Sequence, residues 1–141
     1  MTRKRTMPES VTLSVVVTHL TVDVAARTIT GLCLPFGVAT DPDLTWISWL
    51  FAAGSVQIPD QVSRVKMRHD HHRDETFGVA VELVETTEGI VCTFRVAKTK
   101  LGDDMLQLAA DEVLDGLSVG LRKIVVADDA DLDSDDPVLV V

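Results

Sequence analysis

A mainly β domain with one helix, closed or nearly closed as a small barrel, is the fold class this sequence predicts. Three observations carry that expectation. Val, Leu and Ile recur in short clusters that alternate with polar residues, which suits strands more than long helices. Only the stretch ending at Leu117 carries apolar residues at helical spacing. The 141 residues are 46% hydrophobic, enough for one domain with a real core and too apolar for a disordered tail. Aromatics are 4% and Tyr is absent, so aliphatic packing is expected to fill that core.

The elements follow in chain order. Val11, Leu13, Val15 and Val17 alternate with Thr12, Ser14 and Thr18, predicting a strand from Val11 to Thr18. Val22 to Ala25 and Thr28 to Leu34 predict two more, with Gly31 marking a bulge or a close-packing point. Pro35, Gly37, Asp41, Pro42 and Asp43 punctuate a loop. Trp46 to Phe51 is apolar and fits either a helical turn or an edge segment. Val62 to Arg68 alternates again and predicts a strand running into a histidine cluster. Gly78 to Val84 and Ile90 to Val96 predict an antiparallel pair, with the Glu88-Gly89 step as its turn.

Leu106, Ala109, Ala110, Val113 and Leu117 then share one helix face. Asp103 and Asp104 suit its first turn, where the helix dipole favours carboxylates. Gly116 is placed to end the helix in a left-handed conformation. Strand character returns from Leu117 to Val126. The chain thus divides into a basic arm over 1–10, a β domain over 11–126, an acidic loop over 127–136 and the start of a further strand over 137–141.

Charge narrows the function classes. A net charge of −9 argues against general affinity for nucleic acid or an anionic membrane, which want a basic face. Arg3, Lys4 and Arg5 form the basic arm, and six Asp residues crowd the stretch from Asp128 to Asp136. Both segments read as solvated and mobile, with docking on an acidic partner, or trimming, as the functional alternative for the arm. Cys33 and Cys92 lack metal-ligand spacing and read as two lone thiols on strands, in a reducing compartment. No apolar run reaches the ~18 residues of a membrane span, and no apolar segment adjoins the charged start as a secretory leader would require.

Two features could carry chemistry. Arg68-His69-Asp70-His71-His72 holds three of the four histidines. It reads as a polar strand end, as a metal site with His69 and His71 on one strand face, or as one catalytic imidazole among polar neighbours. Imidazole suits the last role because it accepts and returns a proton near neutral pH. The second feature is Gly116-Leu117-Ser118-Val119-Gly120. Its spacing satisfies the nucleophile-elbow pattern, but that elbow needs a strand before the Ser and a helix after it. The predicted order is the reverse, which excludes an α/β-hydrolase and leaves Ser118 as a strand residue.

Taken in order, several segments resemble the prohead proteases of tailed phages, which are similar in fold to herpesvirus assemblins. Ile29-Thr30-Gly31-Leu32-Cys33-Leu34-Pro35-Phe36-Gly37 resembles the family's opening strand and turn. Phe51-Ala52-Ala53-Gly54-Ser55-Val56 resembles the segment that precedes the catalytic histidine. Val65-Lys66-Met67 then leads to Asp70-His71, and Gly78 follows seven residues after His71. Glu88-Gly89-Ile90-Val91, the run from Thr99 to Gly102, the helix and Leu117-Ser118-Val119-Gly120 complete the order. The resemblance spans about Ile29 to Leu121. Its register selects His71 over His72 and over His69, the main rival.

The resemblance implies an assemblin-like β-barrel, incomplete at the C-terminus, and a serine endopeptidase with Ser118 as nucleophile and His71 as base. It leaves the third member open: beyond Val141, or an acidic residue such as Glu82 or Asp103. No metal or organic cofactor is expected. The implied setting is the interior of a phage procapsid in the host cytoplasm, where the enzyme cleaves scaffold or the capsid protein's scaffolding segment. The implied partners are the major capsid protein and scaffold, with a homodimer as a further expectation and no direct nucleic-acid or membrane contact. A non-catalytic assembly domain with the same fold is the alternative.

Overall fold

The computed structural model describes residues 5–8, 10–15, 20–41, 47–69, 72, 74–114, 117–122 and 124–141, with backbone alone at 10–15, 118–120 and 122. The described residues are mainly β with one α-helix. Strands β1 (Ser10–Val15), β2 (Thr21–Asp23), β3 (Thr28–Pro35), β4 (Trp49–Phe51), β5 (Lys66–Arg68), β6 (Thr76–Glu85) and β7 (Gly89–Val96) precede helix α1 (Lys100–Ala110). Strands β8 (Leu117–Arg122) and β9 (Val138–Val140) follow it.

Period-two burial builds the central sheet, an antiparallel array in the order β2-β3-β7-β6-β5. Ile90, Cys92, Phe94 and Val96 of β7 turn inward, while Val91, Thr93 and Arg95 occupy the other face. On that other face the Thr30 and Thr93 hydroxyls meet across β3 and β7 at 3.1 Å. β6 and β7 form the expected hairpin. Its turn is closed by the Thr86 amide donating to the Gly89 carbonyl at 2.8 Å. The Thr86 hydroxyl oxygen also accepts from the Glu88 and Gly89 amides, each at 3.2 Å.

Two smaller strand pairings accompany the central sheet among the described residues. β1 runs antiparallel to β8, and β4 runs parallel to β9. The described strands do not close into the expected barrel: β2 and β5 are the two edges of the central sheet. The Trp46 to Phe51 stretch, left open between a helical turn and an edge segment, contributes β4. Its side chains include Trp49 and Phe51, the two largest fully buried residues.

Trp49, Phe51, Phe77 and Phe94 are all buried, which corrects the expectation of an aliphatic core. Few aromatics do not mean a core without them. Each ring buries more area than any aliphatic side chain, so a small number dominates the packing.

Three local readings also change. Gly31 keeps regular register with Cys92, and the irregularity in β3 falls between Leu32 and Leu34, at Cys33. That extra residue turns Cys33 and Leu34 both inward. Cys33 and Cys92, both turned inward from β3 and β7, are joined in a disulfide, with Cα atoms 6.1 Å apart, and are neither two lone thiols nor a mark of a reducing compartment. The helix also ends early. Gly116, expected to stop it, lies outside the described residues, and Glu112 takes the left-handed position at φ 60°. The Glu112 amide donates to Ala109 O at 3.1 Å and the Val113 amide to Leu108 O at 2.9 Å, a Schellman cap that leaves Val113 exposed.

At its other end α1 starts on Thr99, whose hydroxyl accepts from the Gly102 amide at 3.0 Å. Gly102, Met105, Leu106 and Ala109 bury the face turned toward β2, β6 and β7. Arg27, at φ 56°, ties this helix to the sheet. Its guanidinium donates to the carbonyls of Val96 at 3.2 Å and Ala97 at 2.6 Å, and pairs with Asp103 at 2.8 Å.

Candidate functional site

The histidine cluster sits where β5 gives way to β6. Strand pairing there depends on a close approach. A Cβ at Gly78 would lie 3.0 Å from Arg95 O and 3.2 Å from the Met67 Cβ, so a side chain there would push these neighbours aside by a few tenths of an ångström. Met67 is buried beneath it. Register slips between Met67 and Arg68, which moves Arg68 opposite Thr76. The Arg68 Nε then donates to the Thr76 hydroxyl at 3.2 Å.

β5 stops at Arg68, so His69 is not a strand residue, and the premise that His69 and His71 share a strand face is corrected. Backbone hydrogen bonds join the described residues that follow. The His69 amide donates to Glu75 O at 3.0 Å, the His72 amide to His69 O at 3.0 Å and the Glu75 amide to His72 O at 3.1 Å. The His69 Nδ1 lies 3.5 Å from a Glu75 carboxylate oxygen. This pairing gives His69 a carboxylate neighbour that no spacing rule in the sequence picked out. His71, the expected base, lies outside the described residues. Among the described residues no group of three or more His, Cys, Asp or Glu side chains is arranged to hold a metal ion.

Ser118 is the second residue of β8, with Ser14 of β1 as its Cα partner. Its side chain lies outside what is described. β8 also packs beside β3. Within the central sheet β7 and β6 stand between β3 and β5, a separation of three strand spacings, roughly 14 Å along a flat sheet.

Of the two acidic candidates, Glu82 is exposed on β6 opposite Thr93, just past a register shift that follows Ala80. Asp103 is on α1, where its carboxylate meets Arg27. Gly54, in the segment that precedes the histidines, adopts φ 79°, and its amide donates to the Glu85 carboxylate at 3.0 Å. That bond anchors the segment to the end of β6.

Comparison with protein-family models, with curated proteins and with solved structures finds no match for this chain. No helix among the described residues is long and apolar enough to cross a membrane.

Proposed function

We propose that this chain is the protease domain of a phage capsid-maturation system, a serine endopeptidase of assemblin-like fold with Ser118 as nucleophile and His71 as base. The observation that carries the reading is the ordered run of motifs from Ile29 to Leu121, ending in Leu117-Ser118-Val119-Gly120. The mainly antiparallel architecture with one helix before the Ser118 strand is compatible with it.

In this reading the Ser118 hydroxyl attacks the scissile carbonyl while His71 accepts its proton. The imidazolium then protonates the leaving amine, and water releases the acyl group by the same steps in reverse. The geometry needed is demanding. Strand-to-strand twist of ~20–25° accumulates across the central sheet, and the sheet must curl enough to carry its β5 edge toward β8. The substrates are scaffold or the scaffolding segment of the capsid protein, cleaved inside the procapsid in the host cytoplasm. The partners are those two proteins, with a second copy of the chain as a further expectation.

The test is co-expression with a phage major capsid protein that carries its scaffolding segment. Processing in the parent chain, lost in Ser118→Ala, supports the reading; processing that continues unchanged in Ser118→Ala removes Ser118 as nucleophile. One observation favours the alternative of a non-catalytic assembly domain. Glu82 is exposed and the Asp103 carboxylate is engaged by Arg27, and neither is a buried carboxylate of the kind that orients a catalytic imidazole. Absence of processing in the parent chain, with retained incorporation into procapsids, would select that alternative.

A further inference from the structure

The two charged segments of the sequence meet. Arg5, from the basic arm, lies against the acidic loop some 130 residues later in the chain. Its backbone amide donates to Asp133 Oδ1 at 2.7 Å. Its guanidinium donates through Nη1 to the carbonyls of Ser134 at 2.7 Å and Leu132 at 3.3 Å, and through Nη2 to Asp135 Oδ1 at 3.2 Å.

The loop is shaped for this before the arginine is counted. The Asp133 amide donates to the Asp131 carboxylate at 3.0 Å and the Asp136 amide to the Ser134 hydroxyl at 3.1 Å. These turns aim two carbonyls and a carboxylate at one point, a pattern that a planar guanidinium fits and an ammonium does not. A hollow of ≈ 270 Å³, lined in part by Asp129, Asp131, Ser134 and Asp136, opens beside the cradle with room for a second cationic side chain.

We propose that residues 131–135 form a receptor for an arginine-bearing extended segment, that the chain's own arm is its resident ligand, and that the arm of a second copy can take its place. Main-chain and side-chain recognition occur together at Arg5, as in the capture of a peptide and not of a lone ion. The Asp135 side chain is 98% exposed, so the ion pair is screened by solvent and the contact is weak enough to exchange. In cis the arm is held at high effective concentration, which keeps the receptor filled until the arm is displaced or the partner is concentrated by assembly. The inference stands apart from the hydrolytic reading and does not need Ser118 to be reactive.

The test uses the full chain and a labelled peptide carrying residues 1–10, followed by fluorescence anisotropy. The Arg5→Ala chain, with its receptor vacated, should bind the peptide about tenfold or more tightly than the parent chain, whose own arm competes. Adding Asp133→Asn and Asp135→Asn to that chain should remove the gain, and an Arg5→Lys peptide should bind more weakly than the native one. For exchange between copies, Arg5→Ala chain mixed with Asp133→Asn/Asp135→Asn chain should associate in sedimentation, because one supplies a free receptor and the other a free arm. In the unaltered chain, trypsin should cut after Arg5 more slowly than in Asp133→Asn/Asp135→Asn. Equal peptide binding by all chains, or equal cutting rates, would overturn the proposal; peptide binding without association of the mixed chains would overturn exchange.

Discussion

Replacing Gly89 by Ala should cost this fold more than any other single methyl group in its turns. Gly89 begins β7 at φ 149°, where it pairs with Pro35 of β3 and follows the Thr86 turn. A Cβ there would lie 2.0 Å from Leu34 O, 2.9 Å from the Pro35 Cα and 3.0 Å from a Leu32 methyl. The first two are backbone atoms of a hydrogen-bonded strand and cannot turn aside. The gap to ordinary contact exceeds about 1 Å, so β3 and β7 must part at this end. Parting them threatens the Phe36 amide bond to Glu88 O, now 2.9 Å, and the adjoining ladder.

Two lost hydrogen bonds at about 1 kcal/mol each, plus about 1–2 kcal/mol for a side chain at an unfavourable φ, give about 3–4 kcal/mol. With a urea slope of about 2 kcal/mol/M for a domain of this size, the midpoint should fall by about 1.5–2 M. Equilibrium urea unfolding followed by tryptophan fluorescence measures this, since Trp49 is fully buried. A midpoint within about 0.3 M of the parent, at unchanged slope, would refute the close approach of β3 to the turn.

Other outcomes follow from the same packing. Glu112→Gly should raise stability by about 1 kcal/mol in thermal or urea melts, because it relieves a left-handed non-glycine residue in an exposed cap. Trp49→Ala should cost about 3–5 kcal/mol, which limited proteolysis or a melt would register. Chain denatured without reductant should offer no thiol to an alkylating reagent; two reactive thiols would contradict the Cys33–Cys92 bond. Removing that bond, which spans 59 residues, should cost about 2–4 kcal/mol. Asp103→Asn should leave processing activity in place and lower stability by less than about 1 kcal/mol, since its carboxylate is a partly exposed partner of Arg27. Loss of processing with unchanged stability would instead return Asp103 to the catalytic machinery.

The parts of the fold that were legible are those in which one strand face is buried and the other is not. β3, β6 and β7 announce themselves through alternation, and the β6–β7 hairpin through Glu88-Gly89. β4 was not legible, because a three-residue apolar run has no period, and its partner β9 lies some 89 residues away. The bulge at Cys33 hid the burial of Leu34 in the same way. Strict alternation over β3 would turn Leu34 away from the face Cys33 occupies, yet both are buried. The helix stop was misplaced because propensity favours Gly116, whereas the chain accepts strain at Glu112 to close the cap four residues sooner.

At the candidate site, sequence order gave the residue types but not their placement. Where His69 and Glu75 meet depends on where β5 stops, after the Met67–Gly78 pairing and the register slip that follows it. The Arg5 clasp was half visible. Opposite charge in two distant segments was plain, but only the turns at Asp131 and Ser134 make one an acceptor for the other.

The reactivity of one hydroxyl is the heart of the functional account. Intact chain treated with a serine-directed organophosphonate should gain a single covalent adduct that peptide mapping assigns to Ser118, lost in His71→Ala and retained in His69→Ala. An unlabelled Ser118 in a chain that processes capsid protein, or labelling that survives His71→Ala unchanged, would contradict it.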